Sequence, residues 1–450
     1  MPSSQTKHDS QELILVTGAS GYIASQLIPQ LLERGLKVRC LVRNSAHLKT
    51  RKWYAEVEVV CGDLTQPRSL PPALQGVTSA YYLVHSMSSG HDYVEQDLKA
   101  ARDFSEMAKQ SGVGHIIYLG GLADPRAEIA SHMRSRIDSG QALRTGGVPV
   151  TEFRASVIIG PGSISFEMIR FLTEQFPIII CPRWMPNLAQ PIAIQNILDY
   201  LLDALDLPDP VNQVFEIGGS DVMTYTETML SYARLRGLQR RVVVLPFNPV
   251  RILAFFMSWF TPVPRAITRP LVEGLCSNSV IRNDSAMHAF PEIQPMGYDS
   301  AVRLSLRSLS PDQVEPIWRQ GDQRVKTSKH AGFCILQRQF CTDTDGWVVL
   351  EAIQERFNKN RNYGLVNAEE WLSESGCEKI LLIRSNQKLP GQLWQEWRVT
   401  SYQDHTNIAQ AILFAPKGLT GFLGWYGVVN WLRLTQWFSF RRLAWRVRRK

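Results

Sequence analysis

The sequence predicts an α/β protein, a Rossmann-type doubly wound parallel sheet, and three observations support this prediction. Short apolar runs typical of buried strands recur along the first third of the chain. Segments with helical periodicity separate these runs, and a glycine-containing turn joins the first run to the first helix. Strands that alternate with helices in this way form a parallel sheet with helices packed on both faces.

Six strands are expected in this part of the chain: Leu13–Val16, Lys37–Val42, Val57–Cys61, Ala80–Val84, His115–Leu119 and Pro149–Arg154. The helices expected between them are Ser25–Gly35, Pro67–Leu74, Tyr93–Gln110 and Ala127–Arg144. Ligands of such sheets bind at the carboxyl ends of the strands. One crevice is therefore expected to be surrounded by Gly18, Arg43, Asp63, His85, Gly120 and Arg154.

The turn after the first strand has the features of a dinucleotide-binding loop. Gly18 permits a sharp turn, Gly21 lets the backbone approach a pyrophosphate, and Ala24 lets the helix lie close to the strand. The N terminus of that helix presents free N–H groups and the positive end of its dipole to phosphates. The alternative is an ordinary strand–helix turn without a ligand.

Arg43 at the tip of the second strand indicates which dinucleotide is bound. An NAD site usually has Asp or Glu near this position to bind the ribose 2′-hydroxyl, whereas an arginine suits a 2′-phosphate. The sequence therefore favours NADP(H) over NAD(H), with NAD still possible. A solvated charge without a ligand is the alternative for Arg43.

The bulk composition describes a globular protein of two or three domains. The chain has 450 residues, 44% of them hydrophobic and 20% charged, and a net charge of +8. Much of the positive charge lies in residues 441–450, which are either a solvated terminus or a segment that meets anionic lipid or nucleic acid. Because no zinc-finger spacing or RNA-recognition motif is present, no nucleic-acid partner is expected.

The cysteines and the N terminus indicate a reducing compartment. The seven cysteines contain no Cys-x-x-Cys pair, so neither a disulfide framework nor a metal site is expected. Cys40, Cys61 and Cys181 lie in apolar runs and are interpreted as small core residues. Residues 1–11 are polar, are predicted to be a disordered leader, and lack the apolar region of a secretory signal. A cytoplasmic location is expected.

A smaller lobe is expected at about residues 163–305, where strand–helix alternation stops. In it Arg183, Trp184 and Gln190 are weak candidates for lining a substrate pocket. Ile252–Phe260 is apolar on all sides but is too short to span a bilayer, which needs about 20 residues. It is predicted to be a buried helix or a lid over a hydrophobic substrate.

A third region is predicted to be an α+β domain at residues 331–450, after a polar linker at 309–330. Its expected elements are strands Gly332–Leu336, Gly346–Leu350, Lys379–Arg384, Trp394–Val399 and Ile408–Phe414, followed by a long helix Gly418–Phe440. The helix is apolar and aromatic except for a polar stripe of Asn430, Arg433 and Gln436. A helix gripped by a sheet, contact with a membrane surface, and a membrane span remain open for it.

Several motifs, in the right order, resemble the extended and atypical short-chain dehydrogenase/reductases over about residues 12–305. Within that family the motifs most resemble those of the NmrA-like proteins, and among these a bacterial subgroup with an extra C-terminal domain. The motifs are Thr17–Ala24, Asp63–Leu64, Arg154–Gly162, Pro191–Ile197 and Phe215–Gly219. The C-terminal element order resembles the START-like, helix-grip fold, which encloses apolar ligands.

The resemblance implies a set of cofactor-binding residues and a departure at the catalytic positions. The implied cofactor residues are Thr17, Gly18, Ser20, Gly21, Tyr22, Ile23, Arg43, Asp63, Leu64, Leu83 and Arg136. Active members of the family use a Ser after the fifth strand and a Tyr-x-x-x-Lys on the next helix. Here Gly120–Gly121 takes the place of the Ser, and His132 and Arg136 stand at the Tyr and Lys spacing.

Two histidines are candidate proton donors in place of the missing tyrosine. His132 lies on one helical face with Arg136, and His85 follows the fourth strand. For each, a histidine packed beside the site without a role in proton transfer is the alternative.

Three functions remain open at this point. The first is an NADP(H)-dependent oxidoreductase or isomerase acting on a small apolar or carbonyl-bearing molecule. The second is a non-catalytic protein that senses the NADP(H) redox balance, which the missing Ser and Tyr favour. The third is a membrane-surface protein that handles lipids or quinones. The sequence leaves the substrate and the oligomeric state open.

Overall fold

A computed structural model provides the structure of the chain. It describes residues 12–49, 51–85, 93–183, 185–247, 249–309, 326–330, 332–342, 345, 348, 350–351, 353–355, 368–375, 378–385, 389–402 and 405–427. Outside these residues lie the predicted leader, Trp184, the part of the predicted terminal helix that carries the polar stripe, and the basic tail.

The N-terminal domain is built on a parallel sheet, as predicted, but the sheet has seven strands instead of the six expected. Its strands are β1 Leu13–Thr17, β2 Lys37–Val42, β3 Glu58–Cys61, β4 Ser79–Tyr82, β5 His115–Gly121, β6 Val150–Ala155 and β11 Gln213–Ile217. Their order is β11-β6-β5-β4-β1-β2-β3, and every neighbouring pair is parallel. The order reverses between β1 and β4, which is where such sheets bind ligands.

Helices cover both faces of this sheet, so its central strands are buried on both sides. The flanking helices are α1 Tyr22–Glu33, α2 Pro71–Leu74, α3 Tyr93–Gln110, α4 Ser131–Thr145 and α6 Ile194–Asp203. In β1, Ile14 and Val16 belong to one apolar cluster while Leu15 belongs to the cluster on the opposite face. This explains why the strand reads as a continuous apolar run instead of an alternating one.

A smaller lobe follows β6 and has its own apolar cluster. Its short strands are β7 Ile158–Ile159, β8 Ile178–Cys181, β9 Leu188–Ala189, β10 Ile192–Ala193, β12 Met223–Thr224 and β13 Arg241–Val244. Its helices are α5 Ile164–Gln175, α7 Tyr225–Arg236, α8 Val250–Phe260, α9 Arg265–Gly274, α10 Ser285–Ala289 and α11 Tyr298–Arg307.

Two sequence predictions in these regions are wrong. Helix α8 is not a buried helix, because only Ala254 and Met257 of it are buried while Phe255 and Trp259 are each 59% exposed. Because the segment is apolar on every side, its sequence does not show that only one face packs against the lobe. Cys61 is exposed at the edge strand β3, whereas Cys40 and Cys181 are buried as expected.

The C-terminal domain is a six-stranded antiparallel sheet with a helix against it, which confirms an α+β domain. The strands are β14 Lys326–His330, β15 Phe333–Thr342, β16 Ala368–Ser375, β17 Glu378–Ser385, β18 Gly391–Ser401 and β19 Thr406–Pro416, in the order β14-β15-β19-β18-β17-β16. Residues 418–427 are helical. The helix-grip resemblance of this domain stays a prediction.

Two details of this domain differ from the sequence prediction. Val348 and Leu350, expected in a strand, are helical. Their apolar run is too short for periodicity to separate strand from helix. The sheet begins at Lys326, within the segment expected to be linker, and β16 was not expected because its sequence is largely polar.

Buried polar groups on α5 join this domain to the smaller lobe. Glu174 Oε2 accepts a hydrogen bond of 2.6 Å from the Gly418 N–H. Gly332, with a φ of 84°, leaves room for the Arg170 guanidinium, which a Cβ at that position would overlap. Phe171 packs edge-on against Phe422, with ring centroids 5.7 Å apart. The two domains are therefore held together by specific contacts as well as apolar burial.

Candidate functional site

The turn after β1 requires glycine at position 18. Gly18 has a φ of 65°, a conformation that side chains rarely adopt. Its carbonyl accepts a hydrogen bond of 2.8 Å from the Gly21 N–H. A Cβ at Gly18 would lie only 2.8 Å from the carbonyl oxygen of Leu83. Glycine is therefore required at position 18 for two reasons: the positive φ of the turn, and the close approach of the chain at the end of β4.

The N terminus of α1 lies at this turn and is not capped by a side chain, because its N-cap residue is Gly21. The N–H groups of a helix's first turn have no partner within the helix. Such an end favours an anion. The glycine turn and the uncapped helix together fit the pyrophosphate of a dinucleotide.

Thr17 and Tyr22 are occupied by the protein itself. The Thr17 hydroxyl donates to the Tyr81 carbonyl at 3.0 Å and accepts from the Leu83 N–H at 3.1 Å, which ties the end of β1 to β4. The Tyr22 hydroxyl lies against Gly160, where a Cβ would come within 2.3 Å of it. Burial, with a smaller effect from nearby Glu167, raises the pKa of Tyr22, so it stays neutral. Their side chains hold the loop in place.

The remaining loop positions differ in their exposure. Ser20 is exposed at the tip of the turn and Ile23 packs on the apolar cluster beneath. Asp63 Oδ1 accepts hydrogen bonds from the Thr65 N–H and hydroxyl, at 3.0 and 2.9 Å. Leu64 is buried. Asp63 therefore fixes the loop after β3, and the assignment of these residues to the cofactor stays a prediction.

Two arginines lie near the glycine turn, and the sequence analysis identified one of them. Arg43 is exposed just beyond β2, with no hydrogen bond or ion pair to a described residue. Arg51, which was missed, donates from Nη2 to the Ser20 carbonyl at 3.3 Å. Burial lowers the pKa of Arg51 to about 10. The only sequence signal for Arg51 was its positive charge shortly after the second strand.

His85 lies at the end of β4 and is paired with an aspartate that the sequence analysis missed. Its Nδ1 is 3.3 Å from Asp97 Oδ2 on α3, and the Ser135 hydroxyl is 3.4 Å from the same oxygen. Its Nε2 is buried and has no hydrogen-bond partner among the described residues. Burial lowers the pKa of His85, and the hydrogen bond to Asp97 opposes that effect.

His132 lies on α4 close enough to His85 for their charges to interact. It is 4% exposed, and its Nδ1 has no hydrogen-bond partner among the described residues. Burial has the largest effect on the pKa of His132, and the charges of Arg136 and His85 have smaller effects in the same direction. Together they lower this pKa to about 4. Its ring packs against α9, where a Cβ at Gly274 would lie 2.8 Å from Cε1. His132 thus contacts the smaller lobe.

Arg136 completes this group of side chains. One guanidinium nitrogen donates to the Leu119 carbonyl at 3.2 Å, and its Nε is buried without a partner in the described part of the chain. We call His85, Asp97, His132 and Arg136 the histidine cluster. The structure brings both predicted histidines and Arg136 together at the carboxyl ends of β4 and β5, while their roles remain predictions.

At Gly121, where the resemblance places a serine, an apolar side chain of the described residues fills the space. A Cβ at Gly121 would lie 2.8 Å from the Met133 methyl group, so the space is filled by an apolar side chain. The Tyr118 hydroxyl points toward α4 and donates to the Arg136 carbonyl at 2.8 Å. Burial raises the pKa of Tyr118. Among the described side chains near the end of β5, the two histidines remain the candidates for proton transfer.

Three other sequence candidates have structural partners or lie apart. Arg154 is buried, and its Nε donates to Glu152 Oε1 at 2.6 Å. Gln190 donates to the Gly219 carbonyl at 2.7 Å and accepts from the Ile281 N–H at 3.1 Å. Arg183 is exposed. Arg154 is therefore paired within β6 of the central sheet, and Gln190 connects segments of the smaller lobe.

The described residues offer neither a metal site nor a membrane-spanning helix. No group of three or more His, Cys, Asp or Glu side chains among them is arranged to hold a metal ion. In the same residues, no helix combines the length and apolarity that crossing a bilayer requires.

Comparison with known proteins identifies relatives of the N-terminal part. Residues 18–137 match a family model described as NAD(P)H-binding. The chain is 26% identical over 254 residues to the photosystem II assembly factor Ycf39 of Trieres chinensis, which covers 55% of this chain and 76% of that protein. It is 27% identical over 248 residues to a ceramide reductase of Caulobacter vibrioides, covering 53% and 75% respectively.

Solved structures share the same architecture. The triphenylmethane reductase of Citrobacter sp., solved with NADP(H), superposes with a TM-score of 0.52 at 20% identity, over 65% of this chain and 99% of that one. The NADPH-dependent quinone oxidoreductase of Escherichia coli, solved with NADPH, gives 0.52 at 18% identity, over 65% and 99%. The chain thus has the Rossmann-like fold of NAD(P)-binding reductases, and a nicotinamide cofactor is supported.

Proposed function

We propose that this protein is an NADP(H)-dependent oxidoreductase of the atypical short-chain type, which interconverts a carbonyl and an alcohol on a small apolar molecule. The observation that carries the proposal is the His85–Asp97 pair, whose buried Nε2 lies at the carboxyl end of β4 beside the glycine turn. Reductases among the relatives and structural neighbours support the reaction class.

The cofactor is assigned to the turn and its surroundings. The uncapped N terminus of α1 is suited to the pyrophosphate, and the Arg43 and Arg51 guanidinium groups are suited to a 2′-phosphate. This favours NADP(H) over NAD(H). When bound, the nicotinamide supplies or accepts the hydride, and the protein's part is to orient the substrate and move the proton.

Asp97 determines which nitrogen of His85 is available for proton transfer. Its ionised carboxylate is only an acceptor, so the Nδ1 of His85 carries the hydrogen between them. In the neutral ring Nε2 then has a free lone pair. It accepts the hydroxyl proton of a bound alcohol as hydride leaves the carbinol carbon, and the protonated ring returns that proton to the oxygen in the reverse reaction.

His132 is less suited to this role than His85. Its ring is packed against α9 and the residue is 4% exposed, whereas His85 is partly exposed at the end of β4. With its pKa lowered to about 4, His132 is neutral at pH 7. We assign it and Arg136 to positioning the smaller lobe and the end of β5.

The test is turnover of NADPH with a panel of apolar aldehydes, ketones and quinones. His85→Gln removes the proton-transferring nitrogen and lowers kcat by about 10²–10⁴-fold, with NADPH affinity retained. His288→Gln, an exposed histidine on α10, is the matched control and keeps full activity. Unchanged turnover in His85→Gln contradicts the proposal. Tight, redox-selective dinucleotide binding without turnover of any panel member supports the sensor function instead.

A further inference from the structure

Helix α8 exposes an apolar face that the described residues do not cover. Ile252, Phe255, Phe256 and Trp259 follow the i, i+3, i+4, i+7 spacing of one helical face, and each is more than half exposed. Phe247, just before the helix, is 56% exposed. Contiguous exposed aromatic side chains of this kind mark an interaction surface.

A second exposed apolar stripe lies beside α8 on the C-terminal helix 418–427. It consists of Leu419, Leu423 and Tyr426. Lys329 connects the two helices, because its Nζ donates to the Phe260 carbonyl at 3.0 Å and lies 5.7 Å from the centre of the Tyr426 ring. We call α8 and this stripe together the aromatic face.

Positive charge predominates in the two segments that carry the aromatic face, although Glu273, which is paired with Arg269, directly follows the first of them. Residues 228–272, which include α8, contain seven arginines and no Asp or Glu. Residues 405–450, which include the second helix, contain eight Lys and Arg residues and no Asp or Glu. At the end of α8 the Arg265 guanidinium lies 5.5 Å from the centre of the Trp259 ring.

We propose that the aromatic face docks on the surface of a lipid bilayer with anionic headgroups. Helices that lie in a membrane interface combine Trp, Phe and Leu on one side with Lys and Arg beside them. Anionic lipids attract nearby basic segments. A second copy of the chain, or its own basic residues 428–450, would place positive charge against positive charge on this face, which disfavours both as the occupant.

Vesicle flotation of the full chain tests this docking. The protein is expected to float with phosphatidylcholine vesicles that contain phosphatidylglycerol, and to float much less with phosphatidylcholine alone or at high salt. The double variant Phe256→Gln/Trp259→Gln is expected to lower partitioning at least about tenfold, because two rings no longer enter the interface.

The matched control removes equally exposed apolar side chains elsewhere. Val211→Gln/Met287→Gln, at residues 59% and 57% exposed, is expected to float like the parent protein. Circular dichroism verifies the fold of both double variants. The single variant Phe255→Gln gives a smaller loss in the same direction and serves if the α8 double variant misfolds.

Three results overturn the proposal. The first is that the parent protein fails to float with anionic vesicles. The second is that the α8 variants float as well as the parent, which places any lipid binding in residues 428–450 alone. The third is reversible self-association in sedimentation velocity that the α8 double variant abolishes, which makes the face an interface between copies.

Discussion

Two buried polar clusters in this molecule differ in how completely their atoms are paired. Glu174 Oε1 accepts from the Tyr232 hydroxyl at 2.9 Å and from Arg236 Nε at 2.5 Å, and Oε2 accepts from the Gly418 N–H. In the histidine cluster, His85 Nε2 and His132 Nδ1 are buried without partners among the described residues.

We interpret the difference as one between a cluster that stabilises the fold and a cluster that is available to the proposed substrate. A buried polar atom without a partner costs about 1–3 kcal/mol, so native folds pair nearly all of them. The Glu174 cluster follows that rule and joins three elements and two domains. The histidine cluster breaks it at the carboxyl end of the parallel sheet, where a bound substrate can supply the missing partners.

The largest expected effect is on stability at the paired cluster. Glu174→Gln removes the charge that compensates Arg236, and we expect the free energy of unfolding to fall by about 3–5 kcal/mol. Urea denaturation measures it. Glu273→Gln, which breaks a surface pair with Arg269 at 2.8 Å, is the control and costs under about 1 kcal/mol. Equal losses of unfolding free energy in Glu174→Gln and Glu273→Gln would contradict the distinction between the two clusters.

A smaller effect is the pH dependence that His132 gives to stability. Its pKa is about 4 in the folded chain and about 6.5 when unfolded, so the unfolded chain binds the proton first as pH falls. Stability present at pH 7 is therefore lost from about pH 6.5 downward, and the loss from this residue reaches about 2 kcal/mol at pH 5.

The variant His132→Phe tests this dependence. It is expected to narrow the difference in unfolding free energy between pH 7.5 and pH 5 by the amount that His132 contributes. His288→Phe, at an exposed position on α10, is the control. If His132→Phe keeps the full pH dependence of the parent, His132 is not held neutral by burial.

The sequence predicted the parallel sheet because its strands are buried on both faces and separated by helices. His85 was singled out by its place at a strand end, and His132 and Arg136 by the family resemblance, at whose Tyr and Lys spacing they stand; the roles of all three stay predictions. The sequence analysis missed Asp97 because this residue pairs with His85 only when α3 folds back beside β4. A carboxylate in the first turns of the helix after a histidine-ended strand is the signal that could have found it.

Elsewhere the sequence prediction failed for lack of tertiary information. The apolar run in α8 does not specify which faces are covered, since covering depends on neighbours distant in sequence. The polar β16 belongs to the sheet through its pairing with β17, which local pattern does not reveal. The Glu174 cluster joins residues from three distant segments, so no local spacing of residues in the sequence predicts it.

Calorimetric titration of the full chain with NADPH and NADH tests the central claim, that the turn at Gly18 and the arginine at position 43 bind NADP(H). We expect NADPH to bind more tightly than NADH, and Arg43→Ala to weaken NADPH by at least about tenfold while NADH changes little. Arg303→Ala, at an exposed position on α11, leaves both unchanged. Absence of binding by either dinucleotide would contradict the account, as would equal affinity for both.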